Sequence, residues 1–92
     1  MYARKTVVKN PSGLHARPAS DFIGTANTFE SEITILHIGG EEAESANAKS
    51  IVHLLLLGVV QGDQVEISAE GADEQQAVDR LVELIESGFG EH

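Results

Sequence analysis

The stretch from Gln64 to Gly88 constrains this chain more than any other. Val65, Ile67 and Ala69 alternate with Gln64, Glu66 and Ser68, which predicts a strand with one buried and one wet face. Directly after it, Ala77, Val78, Leu81, Val82 and Ile85 recur at the spacing of one helical face. Asp73 stands three residues before Gln76, as in a capping box, and Gly88 closes the stretch. A strand that is wet on one side belongs to an antiparallel sheet whose helices are stacked on the other face. The 92 residues are too few for two cores, because chains divide only at roughly 250 residues or more. Residues 1–92 are therefore expected to form a single domain.

The remaining elements are consistent with that frame. Tyr2–Lys9 is rich in β-formers and stops at the turn chemistry of Asn10-Pro11-Ser12-Gly13. From Pro18 a helix of about ten residues is predicted, with Ala19, Phe22, Ile23 and Ala26 on its buried face. Gly24 inside it costs about 1 kcal/mol relative to alanine. Glu32–Ile38 reads as a strand ending at Gly39-Gly40, and the acidic run Glu41-Glu42-Ala43-Glu44 as a returning edge strand. Ser50 is placed as the N-cap of a two-turn helix, with Ile51, Val52, Leu54, Leu55 and Leu57 inside it and Gly58 as its stop. Leu54 and Leu57 are assigned to the core, and a run of four leucines on so short a helix must leave at least one in water. The order is βαββαβα, an α+β fold.

Composition removes several function classes. Fifteen acidic against six basic residues give a net charge of −9, the wrong sign for binding nucleic acid or an anionic membrane surface. The absence of cysteine excludes disulfides, thiolate metal sites and a cysteine nucleophile. The start Met1–Lys5 leads into no apolar segment, so a cytoplasmic chain is expected. His37 is read as a partly covered strand-end residue, His53 as exposed and His92 as terminal; without ligand spacing, no metal or cofactor is expected. Arg4, Lys5, Lys9 and Arg17 lie within the first seventeen residues, where they either steer an acidic partner or protect a strand edge.

The segment Gly13-Leu14-His15-Ala16-Arg17-Pro18-Ala19 carries the chemistry. It sets a histidine just ahead of a helix whose first backbone N–H groups have no internal partner. The amides near Ala16 and Arg17, the positive end of the helix dipole and the Arg17 guanidinium would converge on a phosphoryl group carried by His15. The same field disfavours an imidazolium and so favours a nucleophilic ring. On residue type alone, a solvated loop histidine remains the commoner reading.

The segment resembles the active-site signature of the HPr family, the histidine phosphocarriers of the bacterial sugar phosphotransferase system. Asn47-Ala48-Lys49-Ser50-Ile51, followed by Leu57-Gly58, is similar to the segment around the family's regulatory serine, and Gly71-Ala72-Asp73-Glu74 is family-like too. The resemblance implies an open-faced, two-layer βαββαβα sandwich with four antiparallel strands and three helices on one face. It implies that His15 accepts a phosphoryl group from phosphorylated enzyme I and passes it to an enzyme IIA domain, with Arg17 and the Ala16 amide stabilising the charge. Such a chain is a carrier and a substrate rather than an enzyme, and needs no cofactor; a monomer is expected on the separate ground that the sequence shows no large apolar surface patch. It further implies that Ser50 is phosphorylated by an HPr kinase/phosphorylase and then engages a catabolite-control regulator, whereas residue type alone makes Ser50 a plain N-cap. Ile51, Val52 and Leu55 match the family's docking patch. Val52 and His53 stand where the family commonly has Met and Gly, Leu56 replaces a small polar residue, and the hairpin around Gly39–Ser45 is longer than usual. Those departures keep open a regulatory paralogue that acts mainly by binding a transcriptional regulator. A plain interaction module without phosphoryl chemistry would require both motif matches to be accidental.

Overall fold

The computed structural model of the chain describes residues 1–38 and 42–90. The elements in chain order are β1 (Tyr2–Val7), α1 (Ala16–Ala26), β2 (Glu32–His37), β3 (Glu44–Asn47), α2 (Ile51–Leu57), β4 (Gln64–Glu70) and α3 (Glu74–Glu86). A turn over Gly88–Gly90 follows α3. The strands form one sheet in the order β1-β4-β2-β3, every neighbouring pair antiparallel. β4, last in sequence, is thus inserted between β1 and β2, while β3 forms the edge.

The periodicity of β4 decides which face is covered. Val65, Ile67 and Ala69 are buried and join Ile33 and Ile35 of β2 beneath the helices, while Gln64 and Glu70 on the alternate register stay exposed. All five stripe residues of α3 are fully buried, each apolar side chain of that size contributing roughly 1.5–3 kcal/mol. α3 packs over β1 and β4, α2 over β3, and α1 against both other helices. Side chains tie α3 to β1: the Tyr2 hydroxyl donates to Asp79 Oδ1 at 2.8 Å, and Arg4 reaches the same oxygen at 3.1 Å. Among the described residues, no helix is long and apolar enough to cross a membrane.

Three expectations need correction. The edge strand is Glu44–Asn47 and not the acidic run Glu41–Glu44. Its position is set by β2, which pairs Ile35 with Ala46 and Thr34 with Asn47 and so directs Ala46 into the core. Gly39 and Gly40 of the expected turn, Glu41 of the expected edge strand, and His92 lie outside the described residues. α1 begins at Ala16, two residues before Pro18. Asp73 precedes α3 but makes no side-chain cap bond. Its carboxylate instead accepts from Glu30 N–H at 2.8 Å, Ser31 N–H at 3.0 Å and the Ser31 hydroxyl at 2.5 Å. It therefore joins the start of β2 to the start of α3, and the Gly71 amide is capped by Glu74 Oε1 at 3.3 Å.

Candidate functional site

The two residues ahead of His15 are held by hydrogen bonds to their backbone. Gly13 N–H donates to the Asn10 carbonyl at 3.1 Å, and Asn10 Nδ2 returns to the Gly13 carbonyl at 2.9 Å. Gly13 has a φ of +64° and lies so close to the turn after α2 that a methyl group there would sit 2.6 Å from the Val59 oxygen. Leu14 N–H donates to that same oxygen at 3.1 Å, and the Leu14 side chain is fully buried. The chain thus reaches His15 with little conformational freedom left.

His15 occupies the N-cap position of α1 in an extended conformation, half-buried, with no side-chain cap bond. Ala16 follows with φ +52°, a left-handed geometry that costs a non-glycine residue about 1–3 kcal/mol. Pro18 brings no N–H to the first turn, so the donors there without helical partners are backbone amides at and just after the histidine. No acidic side chain occupies that turn. Arg17 is exposed beside it, at the mouth of a cleft of about 260 Å³ shared with Pro18, Asp21, Phe89 and Gly90. The start of α1 thus offers a half-buried histidine, backbone amides without helical partners and an exposed guanidinium, which suits an anion.

His15, Ala16 and Arg17 lie consecutively at the start of α1, the first half-buried and the other two exposed. The other amino-terminal cations are not all available to such a site, because Arg4 is engaged with Asp79 on α3. Phe89 was missed. It is packed against the core with φ +54° and lines the Arg17 cleft, and the only local signal was the flanking glycine pair Gly88 and Gly90.

The second group sits at α2. Ser50 caps it by accepting His53 N–H at 3.3 Å, and Gly58 ends it with φ +67°. Leu54 and Leu57 are buried, whereas Ile51, Val52 and Leu55 are exposed and Leu56 is 78% exposed. Val60, just beyond the helix, is exposed as well. The turn before Ser50 is fixed by Lys49, whose ammonium donates to the Phe29 carbonyl at 2.6 Å. A concavity of about 500 Å³ lies along β2, β3 and the start of α2, and His15 does not line it. A covalently carried group needs no enclosing pocket.

The shifted ionisations lie elsewhere. The Ser31 hydroxyl, followed by the Glu30 amide, holds the Asp73 carboxyl below its ordinary range. The Gly71 amide does the same for Glu74, and the bond to Asp79 raises the Tyr2 phenol.

Comparison with known proteins agrees with the fold. A family model described as the PTS HPr component phosphorylation site matches residues 2–87. The chain is 41% identical over 88 residues to the phosphocarrier protein NPr of Proteus mirabilis, covering 96% of this chain and 94% of that one. It is 44% identical over 82 residues to the phosphocarrier protein HPr of Mycoplasma pneumoniae, covering 89% and 90%. The crystal structure of HPr-C-His from Thermoanaerobacter tengcongensis matches with a TM-score of 0.91 at 47% identity, over 100% of this chain and 99% of that one. The chain belongs to the HPr family, the phosphocarriers of the phosphotransferase system.

Proposed function

We propose that His15 is the phosphoryl acceptor, charged by phosphorylated enzyme I and discharged onto an enzyme IIA domain. The observation that carries this reading is the uncapped start of α1, where a half-buried His15 is followed by backbone amides without helical partners and by an exposed Arg17. In each transfer a ring nitrogen of His15 forms or breaks one N–P bond as the partner's bond to phosphorus breaks or forms. The entering group is dianionic, so the Ala16 and Arg17 amides and the guanidinium act where charge is concentrated in an in-line displacement. The ring is half-buried rather than enclosed, so a second protein can reach the phosphorus from the side opposite the histidine.

Ser50 is the regulatory position in this reading, modified by a serine kinase of the HPr kinase/phosphorylase type. A phosphate there meets the amides at the start of α2 and leaves the fold intact. Its charge falls beside Ile51, Val52 and Leu55, the surface assigned to partner docking, where it opposes an acidic partner and attracts a basic regulator.

Intact mass after incubation with phosphoenolpyruvate and an active enzyme I tests the reading. One acid-labile phosphoryl group, absent from His15→Ala, is expected. No modification by an enzyme I that charges another HPr overturns it. A regulatory paralogue acting through a transcriptional regulator is the second reading. It is favoured by the departure at Leu56, which places a large apolar side chain in water, and by the similarity to a phosphocarrier named NPr.

A further inference from the structure

Behind the His15 loop stands a polar cluster that the phosphoryl chemistry does not use. His37 ends β2, and its Nε2 lies 2.9 Å from Asp63 Oδ2, both side chains being mostly shielded from water. The same carboxylate oxygen accepts Val60 N–H at 3.0 Å, while Asp63 N–H returns to the Val60 carbonyl at 3.1 Å. The turn from Val60 to Asp63 is thus closed by side chain and backbone together. It is also fastened to the end of β1, because Val8 N–H donates to the Asp63 carbonyl at 2.9 Å and Gly62 N–H to the Val8 carbonyl at 2.8 Å.

The other side of this turn is the seat of the histidine loop. Val59 supplies the carbonyl for Leu14 N–H, and Gly13 is pressed against Val59 and Val60, with space for no more than a hydrogen. Direct contacts therefore run from His37 through Asp63 to Val60 and Val59, and from there to Gly13 and Leu14, next to His15. The sheet does not need the side-chain pair for its closure: Ile38 N–H already donates to the Gln64 carbonyl at 2.9 Å. What the pair adds is a fixed position for the turn.

We propose that Asp63, clamped by His37, is a positioning residue for His15, holding the turn against which the backbone ahead of the histidine is seated. The proposal rests on His15 being the phosphoryl acceptor. In-line transfer is sensitive to placement, since a displacement of about 1 Å at a reacting group can cost 10²-fold in rate. Asp63 is not among the exposed apolar residues of α2, and a fall in kcat at unchanged KM separates an effect on the transfer step from one on partner affinity.

The test compares the full-length parent chain with Asp63→Ala, Asp63→Asn and His37→Phe, using phosphoenolpyruvate-charged enzyme I as donor. Expected for Asp63→Ala is a fall in kcat of about tenfold with KM within about twofold of the parent, the size of one lost orienting contact. Hydrogen exchange at the Leu14 amide should accelerate in the same variant. Asp63→Asn keeps an acceptor for Val60 N–H and should restore both readouts. A folded Asp63→Ala with parental kcat overturns the proposal, and faster Leu14 exchange at parental kcat makes the brace purely structural and overturns it too. Should Asp63→Ala fail to fold, His37→Phe carries the comparison: a partial loss of kcat is expected, and parental behaviour overturns the proposal. If the parent itself takes up no phosphoryl group, the reading of His15 fails. Leu14 exchange then still decides the brace by itself, unchanged protection in Asp63→Ala overturning it.

Discussion

Two glycines of this chain should respond oppositely to the same substitution, and the structure sets both magnitudes. Gly13→Ala forces a side chain into the left-handed region, at about 1–2 kcal/mol. It also drives a methyl group to 2.6 Å from the Val59 oxygen and 2.8 Å from the Val60 Cα, both backbone atoms that cannot rotate away. Overpacking of that kind costs about 1–3 kcal/mol, while the stiffer unfolded chain returns about 0.4–1 kcal/mol. The net expectation is a loss of roughly 2–4 kcal/mol. Gly24, in α1, has nothing within 4 Å of an added Cβ, so Gly24→Ala should gain about 0.5–1 kcal/mol from helix propensity. Urea unfolding with a common m-value reads both changes, and calorimetry should show Tm moving by about 4–8 °C per kcal/mol for a domain of this size. A Gly13→Ala chain within about 0.5 kcal/mol of the parent would refute the reasoning, because it would mean the turn at Val59 and Val60 yields freely and does not seat the His15 loop.

Leu54→Ala, which empties a fully buried position on α2, should cost about 2–5 kcal/mol. Leu56→Ala on the same helix, 78% exposed, should stay within about 0.5 kcal/mol, a contrast that urea midpoints check directly. Asp73 has a folded pKa held below its ordinary value of 3.8 by Ser31 and the Glu30 amide, so its stabilisation is fully present above that value and lost as pH falls through the folded pKa. Asp73→Ala should therefore have a lower Tm than the parent at pH 6, with the gap narrowing in acid below the ordinary carboxylate range; an equal gap at both ends would count against the assignment. Glu32 and Glu70 stand directly opposite on β2 and β4, so Glu32→Lys should stabilise by about 0.2–1 kcal/mol, and the gain should shrink in high salt.

What the sequence disclosed follows from where the determining forces lie. β4 and α3 were legible because each buries one face, and burial writes a period into the residues. α2 was legible because Ser50 and Gly58 solve local problems, an orphan amide and a left-handed stop, that only a few residue types solve. β3 was not, since Ala46 is its one buried residue and its position comes from pairing with β2, some ten residues upstream in register. Asp73 misled for a related reason: Asp-x-x-Gln satisfies a local motif, yet the Glu30 and Ser31 amides supply better partners that are distant in sequence. At the site, His15, Ala16 and Arg17 could be named because one contiguous motif holds them. Phe89 and Asp63 could not, because each meets the His15 region only through the tertiary fold.

The location of strain and of empty space is consistent with a carrier more than with an enzyme that encloses its substrate. Tight enclosure of the phosphoryl group would stabilise the charged carrier as much as the transition state and would slow the second transfer by the amount it favoured the first. The concavity of about 500 Å³ lies elsewhere, and His15 is left half-buried. Reversibility thus permits few contacts to the group itself, so precision has to come from the protein side of the ring. The structure concentrates it there: a glycine with no room for a methyl, a fully buried Leu14, an alanine held left-handed, and a turn closed by Asp63. The strain at Ala16 persists because those neighbours over-determine the backbone on its amino-terminal side while α1, anchored by the buried Pro18 and Ala19, fixes it on the other. A site built this way is rigid where it is attached and open at the ring, which fits the proposed passage of a phosphoryl group between two successive partners at one nitrogen.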